Sequence, residues 1–347
     1  MPEEIQHSPE VEFAAMGRPL PPHVPAHAGN PSDLHYDIMQ LLTTEQADAI
    51  KTSNKMAFHV VGDSGNDSHH NGGPRKRAAV VHTMETQRKA APNQPETPCF
   101  CMHTGDVIYP HGDIDYYHDE FYDAFASYRN YILAIPGNHD YYGDHLASFK
   151  QTFCVPGFTP SLPDPLGRSV MNLPGFHYVV NTPVATIIAM AATSDYISPN
   201  QTKWLGQEMQ QADKGKALII AVHYPPYCWD GSNNWRVRSA IAAGIAMAGG
   251  RNPDLVICGH AHNYQRIQGP YPVLVVGSGG VGTSPVNKYC GGNGSKLLFG
   301  TDNAYGAVSL VVDATAKTIS GSFTAADVQY GSVPIEPMDT FSFNWAS

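Results

Sequence analysis

The sequence predicts an α/β protein in which two mixed β-sheets stack face to face with helices outside, a four-layer α/β/β/α sandwich. Three observations point there. The first half alternates apolar, strand-like runs with helical stretches, as parallel strands joined by right-handed crossovers do. The second half turns to hairpins and cleanly alternating strands, as antiparallel pairing requires. Five short polar turns, in one fixed order, each close one of the apolar runs.

Composition bounds the problem. The 347 residues are 42% apolar, ample for a sizeable core, and only 15% charged, while 32 Gly and 28 Pro indicate many loops rather than a helical bundle. The formal charge of −10 is a poor match to nucleic acid or an anionic membrane surface. It leaves anionic substrates open, because bound cations reverse the local field. No run approaches the roughly 20 apolar residues that span a bilayer. No basic segment followed by an apolar run opens the chain, so a cytoplasmic location is the default expectation, with a secreted or periplasmic form left open. The six Cys match neither a zinc ribbon nor a thioredoxin motif, and buried free thiols are expected.

In chain order, residues 1–54 form an N-terminal arm rich in Pro and His at first, with a short helical stretch over 33–42 and a second helix capped near Thr44-Glu45-Gln46. Strands follow at 57–61, 99–103 and 131–135, with a helix over 75–89 and helical spacing of Phe121, Phe125 and Tyr128 within 116–128. Residues 177–180 and 184–189 flank Asn181-Thr182-Pro183 as a hairpin, and 201–211 is helical. Strands at 217–222, 254–258, 273–276, 307–312 and 318–323 complete a single domain over 55–330, leaving 331–347 as a tail.

The five turns are Gly62-Asp63-Ser64-Gly65, Gly105-Asp106-Val107-Ile108-Tyr109, Gly137-Asn138-His139-Asp140, Val222-His223 and Gly259-His260-Ala261-His262. Parallel sheets carry their functional loops at the carboxyl ends of the strands. Carboxylate, amide oxygen and imidazole are the donors that suit Zn, Mn and Fe. Asp63, Asp106, Asn138 and His260 each directly follow a Gly, which lets the backbone bend sharply near an ion. A lone Gly-Asp usually caps a turn, and a lone His after a strand is usually a core residue. All five blocks in order supply enough donors for two cations sharing a carboxylate.

That order resembles the calcineurin-like metallophosphoesterase superfamily, and its details are similar to the purple acid phosphatase branch. Most of the superfamily has Asp-x-His in the first block, where this chain has Asp63-Ser64-Gly65. Tyr109, three residues after Asp106, matches the tyrosinate that replaces the absent imidazole in that branch. The resemblance implies Fe(III) on Asp63, Tyr109, His262 and bridging Asp106. It implies Fe(II), Zn or Mn on Asp106, Asn138, His223 and His260. It further implies hydrolysis of a small phosphate monoester by in-line attack of a metal-bound hydroxide, with His139 near the leaving oxygen and Asp140 orienting an imidazole. A phosphodiesterase on the same scaffold is the nearest rival, and a non-catalytic metal-binding protein a more distant one.

One departure stands out. The branch usually has another His after Val-His, and residues 224–259 contain none. Tyr227, Trp229, Asp230, Asn233, Asn234 and Arg236 are there instead, as a substrate-facing lid or a loop packed by its Trp. His69, His70 and His111 are further candidates for the missing contact.

Overall fold

The computed structural model describes residues 34–66, 73–154, 173–193, 197–287, 293–327 and 337–345. In chain order its elements are β1 (His35–Asp37), α1 (Thr44–Ser53), β2 (Lys55–Val61), α2 (Pro74–Ala90), β3 (Pro98–His103), β4 (Tyr131–Ala134), α3 (Asn138–Tyr142), α4 (Ala147–Cys154), β5 (Tyr178–Asn181) and β6 (Ala185–Met190). There follow α5 (Pro199–Gln211), β7 (Ala217–Val222), α6 (Trp235–Met247), β8 (Leu255–Cys258), β9 (Tyr264–Gln268), β10 (Pro272–Val276), β11 (Lys296–Thr301), β12 (Gly306–Asp313), β13 (Thr318–Ala325) and β14 (Asp339–Asn344).

Two mixed sheets result. One runs β14-β13-β12-β2-β3-β4 and the other β1-β5-β6-β7-β8-β10-β9-β11. In the first, β2, β3 and β4 are parallel, and Val61, His103 and Ala134 share one register level. Their three following turns therefore leave the sheet side by side. In the second, β6, β7, β8 and β10 are parallel, so the turns after β7 and β8 also share an edge.

The core explains why these strands are so apolar. Along β7, Ala217, Ile219 and Ala221 enter the large cluster that also holds Phe58, Val60, Phe100 and Met102. Leu218, Ile220 and Val222 face the other way, onto Leu205, Met209 and Ile241 of α5 and α6. A parallel strand buried on both faces must be continuously apolar. Helix ends follow ordinary capping chemistry. Thr43 and Gln46 form a reciprocal capping box on α1, Ser198 caps α5, and Asn234 accepts from two amides of α6.

The structure departs from the sequence expectation in particular places. Residues 33–42 hold β1, paired in parallel with β5, and then a 3₁₀ turn, because sheet pairing overrides local helical spacing. The 116–128 segment carries a 3₁₀ turn at Ile114–Tyr116 and a π-helical turn at His118–Tyr122 in place of an α-helix. Strands β9, β11 and β14 and helix α6 carry no counterpart in the expectation. β14 lies within residues 331–347 and pairs with β13. Asp339 at its start accepts from Arg266 Nε and Nη2 at 2.8 and 2.9 Å and from the Tyr264 hydroxyl at 2.8 Å, tying β14 of one sheet to β9 of the other. Cys99, Cys101, Cys228 and Cys258 are buried free thiols and Cys154 is a half-buried one. Cys290 and residues 1–33 lie outside the described residues. Among the described residues no helix is long and apolar enough to cross a membrane.

Candidate metal centre

The turns at the carboxyl ends of β2, β3, β4, β7 and β8 converge where the two sheets meet. Asp63, Asp106 and Asn138 come from one sheet, and His223, His260 and His262 from the other. Asp63, Asp106 and His260 have positive φ angles of 57°, 53° and 68°. Non-glycine residues rarely adopt that conformation, and where they do the surrounding structure holds them there, often at functional sites. Gly137 is required for a different reason. A Cβ on it would lie 2.1 Å from Asp106 Oδ1, so the carboxylate rests directly on the glycine backbone.

The donor atoms lie in mutual reach. Asp106 Oδ2 is 3.2 Å from His223 Nε2 and accepts from the Tyr109 hydroxyl at 3.0 Å. The Tyr109 oxygen is also 3.1 Å from His262 Nε2 and 3.4 Å from Asp63 Oδ1. His262 Nε2 lies 3.6 Å from Asp63 Oδ1. Asn138 Oδ1 is 3.0 Å from His223 Nε2 and 3.1 Å from His260 Nδ1. Asp106, His223 and His260 present their ligand atoms within 4.8 Å of one another. The other such group among the described residues, His118, Asp119 and Asp123, is a largely exposed cluster around the π-helical turn with its own internal contacts.

Supporting contacts orient these donors. His223 Nδ1–H donates to the Thr104 carbonyl at 2.8 Å, which turns the Nε2 lone pair toward Asn138 Oδ1 and Asp106 Oδ2. Asn138 Nδ2 donates to the Tyr142 hydroxyl at 2.8 Å, which turns its Oδ1 toward the imidazoles. Three acceptors thus face one another in a buried place, an arrangement that only a proton or a cation relieves. Electrostatics agree. Burial lowers the proton affinity of His223, but Asp106 and Asp63 more than offset it and hold the imidazole up at about 9. Burial would raise Asp106, yet His223 and His139 keep it well below the carboxylate range. Asp63 is pushed up by burial and by Asp106. The residues present fit a polycation: buried anionic and neutral donors of the type that bind transition metals.

All nine residues singled out from the sequence come together, with one change of role. His139 donates from Nδ1 to the Pro110 carbonyl at 2.8 Å, stacks on Tyr109 with ring centroids 4.0 Å apart, and gives its backbone N–H to Asp106 Oδ1 at 2.9 Å. Asp140 was expected to orient an imidazole. Its carboxylate instead accepts from the backbone amides of Val107, Ile108 and Gly137 at 3.0, 3.1 and 2.8 Å, because those amides point inward beneath the ligand turns. Asp140 acts on the backbone that carries Asp106.

The stretch after His223 is anchored rather than loose. Trp229 N–H donates to Gln265 Oε1 at 2.8 Å, Asn234 N–H to the Pro225 carbonyl at 2.8 Å, and Arg238 to the Pro226 carbonyl at 2.9 Å and Asn233 Oδ1 at 2.8 Å. Trp235, 57% exposed, has the Arg236 guanidinium over its ring. The Tyr224 ring lies 4.2 Å from that of His260. His111 is half-buried on the loop beside His139, while His69 and His70 lie outside the described residues. Thr104, Glu120 and Tyr142 support the site and are not marked by any of the five turns: Thr104 and Glu120 reach it through contacts distant in the chain, to His223 and Asn66, while Tyr142 lies one helical turn after Asn138.

Comparison with known proteins adds family and fold. The calcineurin-like phosphoesterase family matches residues 32–264. Among solved structures, the GAP50 anchor in the inner membrane complex of Plasmodium superposes with a TM-score of 0.61 at 14% identity, over 84% of this chain and 90% of that one. A dimetal phosphatase from Danio rerio superposes with a TM-score of 0.55 at 11% identity, over 84% of this chain and 99% of that one. At such identities the likeness is one of fold.

Proposed function

The chain belongs to the calcineurin-like phosphoesterase family, and from that premise we propose that it hydrolyses small phosphate monoesters at a dinuclear centre of the purple acid phosphatase kind. One observation carries the finer reading. A Cβ on Gly65 would lie 2.3 Å from the Tyr109 ring, so that ring occupies the room a side chain at 65 would need. From there the Tyr109 oxygen reaches Asp63, Asp106 and His262. The missing imidazole at 65 and the added phenol at 109 are one exchange in space.

In this reading Asp63, Asp106, Tyr109 and His262 hold one cation, and Asp106, Asn138, His223 and His260 the other. Two bound cations supply charge neutralisation of the phosphoryl oxygens and acidify water. A phenol keeps its proton to a pH of about 10, and burial with Asp106 and Asp63 nearby pushes Tyr109 higher still. Only a highly charged cation displaces that proton, which supports Fe(III) at the first position.

The chain's own residues do the rest. Thr104 fixes the His223 tautomer and Tyr142 fixes the Asn138 amide. With Nδ1–H committed to Pro110, His139 keeps Nε2 for the leaving oxygen of the substrate, as a general acid or a stabiliser of the transition state.

The test is direct. An unreduced, iron-loaded preparation should show a visible tyrosinate band that Tyr109→Phe removes. It should turn over p-nitrophenyl phosphate faster than bis-p-nitrophenyl phosphate. A colourless, iron-loaded protein sinks the tyrosinate assignment, and preference for the diester moves the activity to the phosphodiesterase reading.

A further inference from the structure

We propose that Glu120, outside all five sequence blocks, is a positioning residue that fixes the spacing of the two turns bearing Asp63 and Tyr109, and thereby assembles the first cation position. The inference rests on the ligand assignment above. The turn that presents Asp106 and Tyr109 has three successive amides, and all three donate to buried carboxylates. Val107 and Ile108 donate to Asp140, and Tyr109 donates to Glu120 Oε2 at 2.9 Å. The same Glu120 oxygen accepts from Asn66 N–H, also at 2.9 Å, in the turn that follows Asp63. One oxygen atom therefore joins the backbones of two ligand turns.

The surroundings concentrate this role. A Cβ on Gly65 would lie 3.0 Å from Glu120 Oε2, so the carboxylate sits against the point where Tyr109 replaces a side chain at 65. Arg77, buried on α2, donates from Nη1 to the Ser64 carbonyl at 3.0 Å and from Nη2 to the Asp119 carbonyl at 3.3 Å, placing its charge beside Glu120. Glu120 itself lies within the π-helical turn His118–Tyr122. Such wide turns are rare and frequently found at functional sites. A carboxylate that is 5% exposed is costly to keep unless its hydrogen bonds do something an apolar residue could not. Here they hold two backbones whose side chains must meet one ion. Supporting partners of metal ligands typically change metal affinity by about 10- to 100-fold when removed.

The experiment uses the full chain reconstituted with iron and zinc, with cation stoichiometry read by mass spectrometry, the visible tyrosinate band by absorption, and folding by thermal unfolding of the metal-free form. Glu120→Ala should weaken the first cation by about 10- to 100-fold and bleach or shift the band, with the second cation retained. Glu120→Gln should restore both, because a single acceptor oxygen serves both amides. Wild-type affinity for both cations in Glu120→Ala overturns the proposal. So does loss of both cations in equal measure, which marks a general structural role, and so does failure of Gln to rescue. If the Ala variant does not fold, Glu120→Asp replaces it. That shorter carboxylate should lose the first cation selectively, and unchanged affinity overturns the proposal. A wild-type protein that takes up no pair of cations removes the ligand assignment instead, which distinguishes the two failures.

Discussion

Replacing Gly137 by Ala tests the geometry of the centre with one methyl group. Gly137 has φ −101°, which Ala adopts freely, so backbone strain plays no part. The added Cβ would sit 2.1 Å from Asp106 Oδ1, 2.5 Å from Asp106 N and 2.7 Å from Asp106 Cγ. Ordinary contact begins near 3.4 Å, so about 1.3 Å must be found against the Asp106 carboxylate and about 0.9 Å against its backbone nitrogen. The carboxylate cannot swing clear, since Oδ1 holds the His139 amide and Oδ2 faces Tyr109 and His223. Overpacking of this kind costs about 1–3 kcal/mol of stability. A displacement of about 1 Å at reacting groups costs about 100-fold in rate, or about 2.7 kcal/mol in the barrier. Urea unfolding, kcat/KM on p-nitrophenyl phosphate and cation content should be measured together. Gly269→Ala is the control, because its Cβ would meet nothing closer than 3.4 Å. Wild-type turnover with both cations bound in Gly137→Ala would refute the idea that Asp106 is held by this contact.

Other outcomes follow from the same contacts. His139→Ala should keep both cations and lower turnover by roughly 100- to 10,000-fold, as loss of an acid–base group does; unchanged turnover removes His139 from the mechanism. Asp339→Ala leaves Arg266 and Tyr264 unpaired between the sheets and should cost about 3 kcal/mol by denaturant unfolding, with the metal donors untouched; a cost within about 0.5 kcal/mol counts against the tie. His59, buried between Tyr128 and Gln87, is pushed down by burial to about 4 from 6.5. The folded protein therefore resists a proton that the unfolded chain accepts. The stability from neutral His59 is complete above about pH 6.5 and falls away toward about pH 4, by about 3 kcal/mol in all. His59→Gln should flatten that part of the metal-free protein's pH–stability curve, and an unchanged slope refutes the assignment.

The site was legible because its donors sit in short glycine-flanked turns immediately after apolar runs, a local signal that survives without knowledge of pairing. β7 was legible for the same reason, since six consecutive buried residues need no partner to be recognised. β11 (Lys-Leu-Leu-Phe-Gly-Thr) shows no polar–apolar alternation, β14 alternates over only six positions, and their partners β9 and β13 are settled by tertiary pairing. α6 does carry a signal, Asn234 as cap ahead of Val237, Ala240, Ile241 and Gly244 on one face, directly after a polar loop. The helical spacing of Phe121 and Phe125 was real, but Glu120 and Tyr122 are also buried, and the chain widens its turn where they are. Asp140 lies beside the other donors but bonds backbone amides and not an imidazole, because a sequence cannot show that amides of a distant turn point at a carboxylate.

Neither sheet owns a complete donor set. Asp63, Asp106 and Asn138 ride on one, and His223, His260 and His262 on the other. An ion gripped at this seam is a rivet through both plates, so breathing of the sandwich and escape of the ion become one event. Chelation should then quicken amide exchange at the ends of β3 and β7 together, far ahead of the distant Arg266–Asp339 fastening.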